Sequence, residues 1–397
     1  MDLMPSAEQR DMRAALREFL ADTWTPGRLR AAADGAAFDH GAWKSLAGFG
    51  VFAMALAPED GGLGLGLADV VIAFAELGRA LAPGPVTGTF LAAGLVPGAA
   101  DGDAVVGVLD SRDPVAVVEH PAAVTDLLVL DDDGVYRVPV QALSQERLSP
   151  RDFPVPLDPL TPVAAVAVRP ADGQRLADGR EAARLRLTGA LLTAALQVGV
   201  AQGALDLAVR YAGQRVQFGR PVGSFQAVKH LLADALARVD LARAATLAAG
   251  VVADDPASAE LAGTDARGAV AAAKVLADEA AAANGRTCVQ VHGGMGFTWE
   301  VLAHLYAKRA WALETAFGSA DEHAGYLADS LGEESGQRPC LPARAYVSGR
   351  AERRSDPGRR RYASPPGRTG SNGAPSCAAA WPGCDSRQRR PDVRMPG

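Results

Sequence analysis

The chain has 397 residues, 48% hydrophobic and 22% charged, with a formal net charge of −6. A chain this long and apolar offsets the entropy of folding, which excludes disorder throughout and leaves room for two or three domains. Collagen-like and heptad compositions are excluded as well, and few aromatics (6%) beside plentiful alanine favour helix over sheet. The average hides a split. From Ser335 to Gly397 there are 13 arginines, no lysine and four acids, so that segment carries +9 and residues 1–334 carry −15.

An acidic body argues against a nucleic-acid surface there. Cys288 is its one cysteine, so neither a disulfide framework nor a cysteine zinc site is expected. The start, Met1-Asp-Leu-Met-Pro5, has no basic and then apolar region, and charges are expected to interrupt every apolar run before 18 residues. The expectation is a cytoplasmic chain with no signal peptide and no membrane span.

In chain order, residues 1–100 read as an N-terminal helical domain. Ser6-Ala-Glu-Gln9 is a capping box, and Met12, Leu16, Phe19 and Leu20 follow at helical spacing. A second helix is expected from Leu67 to Leu81, before Pro83-Gly-Pro85. Between them, Gly62-x-Gly64 resembles a dinucleotide fingerprint, but its third glycine is misplaced and no βαβ unit follows. A tight connector is the better reading.

Residues 101–180 change period and read as a small β domain. Its runs are Ala104–Leu109, Val115–Val118, Asp126–Leu130 and Val163–Val168, with Asp131-Asp-Asp-Gly134 as a solvated hairpin turn rather than a metal site. Residues 181–333 read as an antiparallel four-helix bundle with helices over 184–213, 224–253, 258–290 and 302–330. The fold class is thus α+β, mostly α. Residues 334–397 read as a disordered basic tail without folded function, a nucleic-acid arm being the lesser alternative.

Two segments of the bundle carry the chemistry. Tyr211-Ala-Gly-Gln-Arg-Val-Gln-Phe-Gly-Arg-Pro-Val-Gly-Ser-Phe-Gln226 offers an arginine fork for a pyrophosphate at Arg215 and a flat face at Phe218. Gln290-Val-His-Gly-Gly-Met-Gly-Phe-Thr-Trp-Glu300 offers glycine amides that a phosphate can approach closely. In family order and spacing these segments resemble the acyl-CoA dehydrogenase family, as do Pro58-Glu-Asp-Gly-Gly-Leu-Gly64 and Glu76-Leu-Gly-Arg-Ala-Leu81. The resemblance covers about residues 5–332.

It implies FAD as cofactor, with Arg215, Phe218, Gln226, Gln290, Gly293 and Gly294 as flavin-binding residues, the segment over 215–226 serving the flavin of a neighbouring subunit. It implies an acyl-CoA substrate, α,β-desaturation with hydride transfer to FAD, a homo- or heterotetramer, and an electron-transfer flavoprotein-type acceptor. It also implies a carboxylate base at one of two positions, here Gly189 and Phe317. Neither is acidic, and no Thr-Glu…Ala-Gly-Ser-Asp element lies between 101 and 178. Glu314, one helical turn before Phe317, is the substitute candidate. Glu279 and Asp278 read as a solvated face, Glu300 as a cap or partner of Arg309, and His292 as a structural hydrogen bonder. Two readings follow: an FAD-dependent dehydrogenase, or a non-catalytic partner subunit of a heterotetramer that supplies part of the flavin site, as in an actinobacterial steroid-side-chain branch.

Overall fold

Ser6 opens the first helix, α1 (Ala7–Thr23), as its sequence requires: Ser6 Oγ accepts from Gln9 N at 3.2 Å and Gln9 Oε1 accepts from Ser6 N at 2.9 Å. The computed structural model describes residues 4–113, 117–143, 157–255, 257–258 and 264–334. The arginine-rich tail beyond Glu334, with the disorder expected of it, lies outside them. Helices α2 (Pro26–Ala33) and α3 (His40–Gly48) start on Thr25 and Asp39 caps. Residues 58–66 form a tight connector, a 3-10 turn Pro58–Asp60 followed by Gly61 and Gly64 at positive φ. Helix α4 (Leu67–Arg79) is capped from a distance, because the Asp254 carboxylate accepts from Leu67 N and Ala68 N at 2.8 and 3.1 Å. Then α5 (Val86–Ala92) leads to the sheet.

Six strands follow: β1 (Val106–Asp110), β2 (Val117–Glu119), β3 (Asp126–Leu130), β4 (Gly134–Pro139), β5 (Val163–Ala165) and β6 (Gln174–Asp178). The main sheet runs β1-β3-β4-β6, with β1 parallel to β3 and the other pairs antiparallel; β2 and β5 pair separately. All of β3 is buried, whereas Gln174-Arg-Leu-Ala-Asp178 in β6 is half exposed and polar, so its periodicity gave no signal.

The bundle consists of α6 (Gly179–Gln214), α7 (Gln226–Asp254), α8 (Ala266–His292), α9 (Ala303–Leu313) and α10 (Ala320–Glu334). The run expected as one helix over 302–330 is two. It breaks at 314–319, where Phe317 (φ 56°) and Gly318 (φ 96°) are left-handed. Side chains satisfy the carbonyls there: Lys274 Nζ donates to Glu314 O at 3.0 Å, and His323 Nε2 lies 3.0 Å from Phe317 O. Charges do not interrupt α6 as expected. It contains a window apolar enough to cross a membrane, but most of that window is buried against α8, α4 and α7.

Candidate functional site

A cavity with about 1410 Å³ of empty space, partly open to solvent, lies between the start of α5, strands β1, β2 and β5, and the stretch from α9 to Phe317. Both positions at which a base is expected converge beside it. A Cβ built on Gly189 stands 2.2 Å from Phe317 Cε1, so the phenylalanine ring lies directly on the glycine. One turn on, Thr193 Oγ1 donates to Gly189 O at 2.8 Å and also lines the cavity. The two positions at which a base is expected are therefore adjacent, and the Phe317 ring fills the space between them.

Glu314 is not brought there. Its side chain is exposed and does not line the cavity, because the helix ends before it and the one-turn offset to Phe317 is lost. Glu279 is exposed as expected, but Asp278 is buried, 3% exposed, not on a solvated face. It accepts from Lys274 Nζ at 2.6 Å and Gln197 Nε2 at 3.0 Å, and burial raises its carboxyl to about 6 against the pull of Lys274. This buried network fixes the turn that carries Phe317. Glu300 does not pair with Arg309; its carbonyl accepts from Arg30 Nη2 at 2.7 Å. His292 is structural, with Nδ1 2.8 Å from Cys288 O.

Sequence reading missed the cavity's opposite end. Arg309, 6% exposed, pairs through Nε with the fully buried Asp158, which also accepts from Thr161 Oγ1 at 2.9 Å. Arg309 Nη1 donates to Ala82 O at 3.2 Å, and its Nη2 has no partner among the described residues. Beside it Glu119, on β2, lines the cavity and makes no hydrogen bond or ion pair among the described residues. Burial pushes its carboxyl up to about 7, although Arg309 opposes the shift. Next to it, His120 Nε2 accepts from Gly84 N at 3.0 Å, and burial lowers the imidazole to about 4, keeping it neutral. No motif flags Glu119. Its one sequence signal is a carboxylate ending an apolar strand.

The flavin candidates lie elsewhere, on the surface. Arg215 and Phe218 belong to the hairpin of β7 (Val216–Gln217) and β8 (Arg220–Pro221), and Gln226 begins α7. All three side chains are exposed, and Phe218 is 91% exposed on left-handed backbone (φ 52°). Gln290, Gly293 and Gly294, at the end of α8, line a shallower pocket of about 930 Å³ with Phe297 and Trp311. A side chain at Gly293 or Gly294 would meet only open space, so backbone approach there is unobstructed. The two segments share one end of the bundle: Tyr211, just before the hairpin, stacks on His292, just before the glycines, with ring centroids 4.2 Å apart.

The model of the acyl-CoA dehydrogenase N-terminal domain matches residues 6–98, and that of the C-terminal domain residues 177–332. IpdE2 of Mycobacterium tuberculosis, an acyl-CoA dehydrogenase, is 34% identical over 327 residues, 78% of this chain and 92% of that protein. The chain belongs to the acyl-CoA dehydrogenase family.

Acyl-CoA dehydrogenase FadE34 of the same organism is 34% identical over 371 residues, 85% of this chain, and the chain spans about half (48%) of that protein's length. Among solved structures, the Tcur3481–Tcur3483 steroid ACAD is 26% identical, with a TM-score of 0.69, covering 83% of this chain and 99% of the other. The ChsE4–ChsE5 complex of Mycobacterium tuberculosis shares the fold, at 23% identity and a TM-score of 0.67 over 85% and 100% of the two chains.

FAD is the cofactor of the family. The exposed Arg215 fork, the outward Phe218 ring and the open backbone at Gly293–Gly294 fit the pyrophosphate and adenine half of such a dinucleotide.

Proposed function

We propose that this chain is the partner subunit of a heterotetrameric acyl-CoA dehydrogenase. It lends the hairpin with Arg215, Phe218 and Gln226, and the turn with Gln290, Gly293 and Gly294, to the flavin of a sister chain. The assembly desaturates the α,β bond of an acyl-CoA thioester in the cytoplasm, and bound FAD supplies the hydride acceptor, reoxidised by an electron-transfer flavoprotein-type acceptor. The observation that carries the proposal is the Phe317 ring packed on Gly189, an apolar plug where a base belongs. Two facts support it. The hairpin's aromatic and arginine face away from the chain's own core. FadE34 holds a second length of chain about the size of this one.

Arg215 offers two parallel donors to a pyrophosphate, and Phe218 offers a flat apolar face that is 91% exposed, with the Phe225 ring edge-on to it at 6.1 Å. Arg215→Glu, co-expressed with a sister chain, is expected to lower the flavin that co-purifies by roughly tenfold or more. Undiminished flavin in that variant sinks the proposal.

A second reading, catalysis by this chain alone, is favoured by Glu119. A carboxyl raised to about 7 and facing a cavity is poised as a base. In that case Glu119→Gln abolishes proton exchange at the α-carbon of a bound acyl-CoA; exchange that persists excludes Glu119 from the role.

A further inference from the structure

Outside the cavity, five arginines converge on a groove between α1, the end of α4, α6 and α7. They are Arg13 and Arg17 from α1, Arg79 from α4, Arg210 from α6 and Arg243 from α7. The groove joins a second cleft of about 330 Å³ that shares Arg17, Arg79 and Arg210 and is walled by Trp24 and Leu302.

The carboxylates do not balance these cations. Arg13 and Arg17 share the buried Glu76 at 2.7 and 2.6 Å, Arg79 pairs with Asp206 at 2.7 Å, and Arg243 pairs with Asp240 at 2.8 Å. Arg30 and Glu300 line the cleft as well, one charge of each sign, with Arg30 Nη2 donating to the Glu300 carbonyl oxygen at 2.7 Å. Five guanidinium groups thus face three carboxylates. The exposed Arg210 side chain makes no ion pair or hydrogen bond among the described residues. Arg243 is pushed below its ordinary value by burial and by the charge of Arg13, a like-charge contact that a bound anion would relieve.

An independent feature also points to an absent acceptor. Trp24 is 7% exposed, lines the cleft, and its Nε1–H has no partner among the described residues. A buried indole N–H normally finds an acceptor, since an unmade hydrogen bond leaves its desolvation uncompensated.

We propose that this groove binds a phosphate-bearing small molecule, its phosphate held by Arg17, Arg79 and Arg210 and its uncharged part in the cleft beside Trp24. Planar guanidinium forks suit phosphate oxygens, and several converging on one spot give a site that salt weakens. The proposal does not depend on the acyl-CoA dehydrogenase chemistry, because none of these residues lines the cavity or belongs to the flavin-candidate segments.

The test is a titration of the full chain with inorganic pyrophosphate, followed by tryptophan emission, with Trp24→Phe isolating the Trp24 contribution. A saturable change in that contribution is expected, weakened roughly tenfold or more by Arg210→Glu and severalfold on raising salt from about 50 to about 200 mM. Arg215→Glu, on the flavin hairpin, is expected to leave it unchanged. ADP and phosphate then serve as source probes: tighter binding of ADP assigns a nucleotide, and equal binding assigns the phosphate group alone, either of which supports the site. No saturable change, or a change lost in Arg215→Glu and kept in Arg210→Glu, overturns it.

Discussion

The inner cavity beside Gly189 and the outer surface of the hairpin and glycine turn contrast in what their side chains face. Inside, a cavity lies beside Gly189, one of the two positions at which a base is expected, and the Phe317 ring lies on that glycine. Outside, the hairpin and the glycine turn present an exposed arginine, an exposed aromatic ring and two glycines beside open space. On the proposed reading, an exposed surface offered to a neighbour beside an inner position without a carboxylate is the combination a partner subunit shows.

That contrast can be broken most forcefully where the inner turn is anchored. Lys274→Met leaves Asp278 buried without its cation and frees the Glu314 carbonyl, at a cost of about 3–5 kcal/mol in denaturant unfolding. A loss below about 1 kcal/mol would mean that the network does not hold the Phe317 turn.

A smaller effect is expected from the base position itself. Gly189→Glu alone drives a side chain into the Phe317 ring and costs about 1–3 kcal/mol, and adding Phe317→Ala should restore most of that stability. If the two substitutions destabilise additively, the ring is not what closes the position.

Next comes the polar end of the cavity. Glu119 titrates near 7 when folded and near its ordinary value of 4.5 when unfolded. Between those values the unfolded chain releases a proton that the folded chain keeps, so this group's contribution to stability is complete below about pH 4.5 and lost as pH rises through about 7. Glu119→Gln should flatten the fall in stability over that window by roughly 1–2 kcal/mol. An unchanged slope would show that the carboxyl is solvated.

The smallest effect is expected outside. Phe218→Ser should change the stability of the isolated chain by less than about 0.5 kcal/mol, because the ring touches little of its own protein, while lowering the flavin held by the co-purified assembly.

Much of this was legible from the residues alone. Local rules sufficed for the Ser6 capping box, the Asp131–Gly134 hairpin and the helices of the bundle, since each depends on neighbours in sequence. The family motifs marked the hairpin and the glycine turn. Three features stayed hidden because long-range contacts determine them. The break at 314–319 depends on Lys274 and His323, which lie 40 and six residues away from the carbonyls they contact. The burial of Asp278 depends on Lys274 and Gln197 pointing at it from two helices. Glu119 stands out through its surroundings, and Gly84, Thr161 and Arg309 come from three separate parts of the chain.

The most direct measurement is the visible spectrum of the purified chain, alone and co-purified with a sister acyl-CoA dehydrogenase chain, before and after anaerobic addition of acyl-CoA. The expected result is that the chain alone shows no flavin band that acyl-CoA bleaches, while the assembly shows one that does, with the band diminished by Arg215→Glu in this chain. A band bleached in the chain alone would contradict the partner-subunit proposal and return attention to Glu119 as its base.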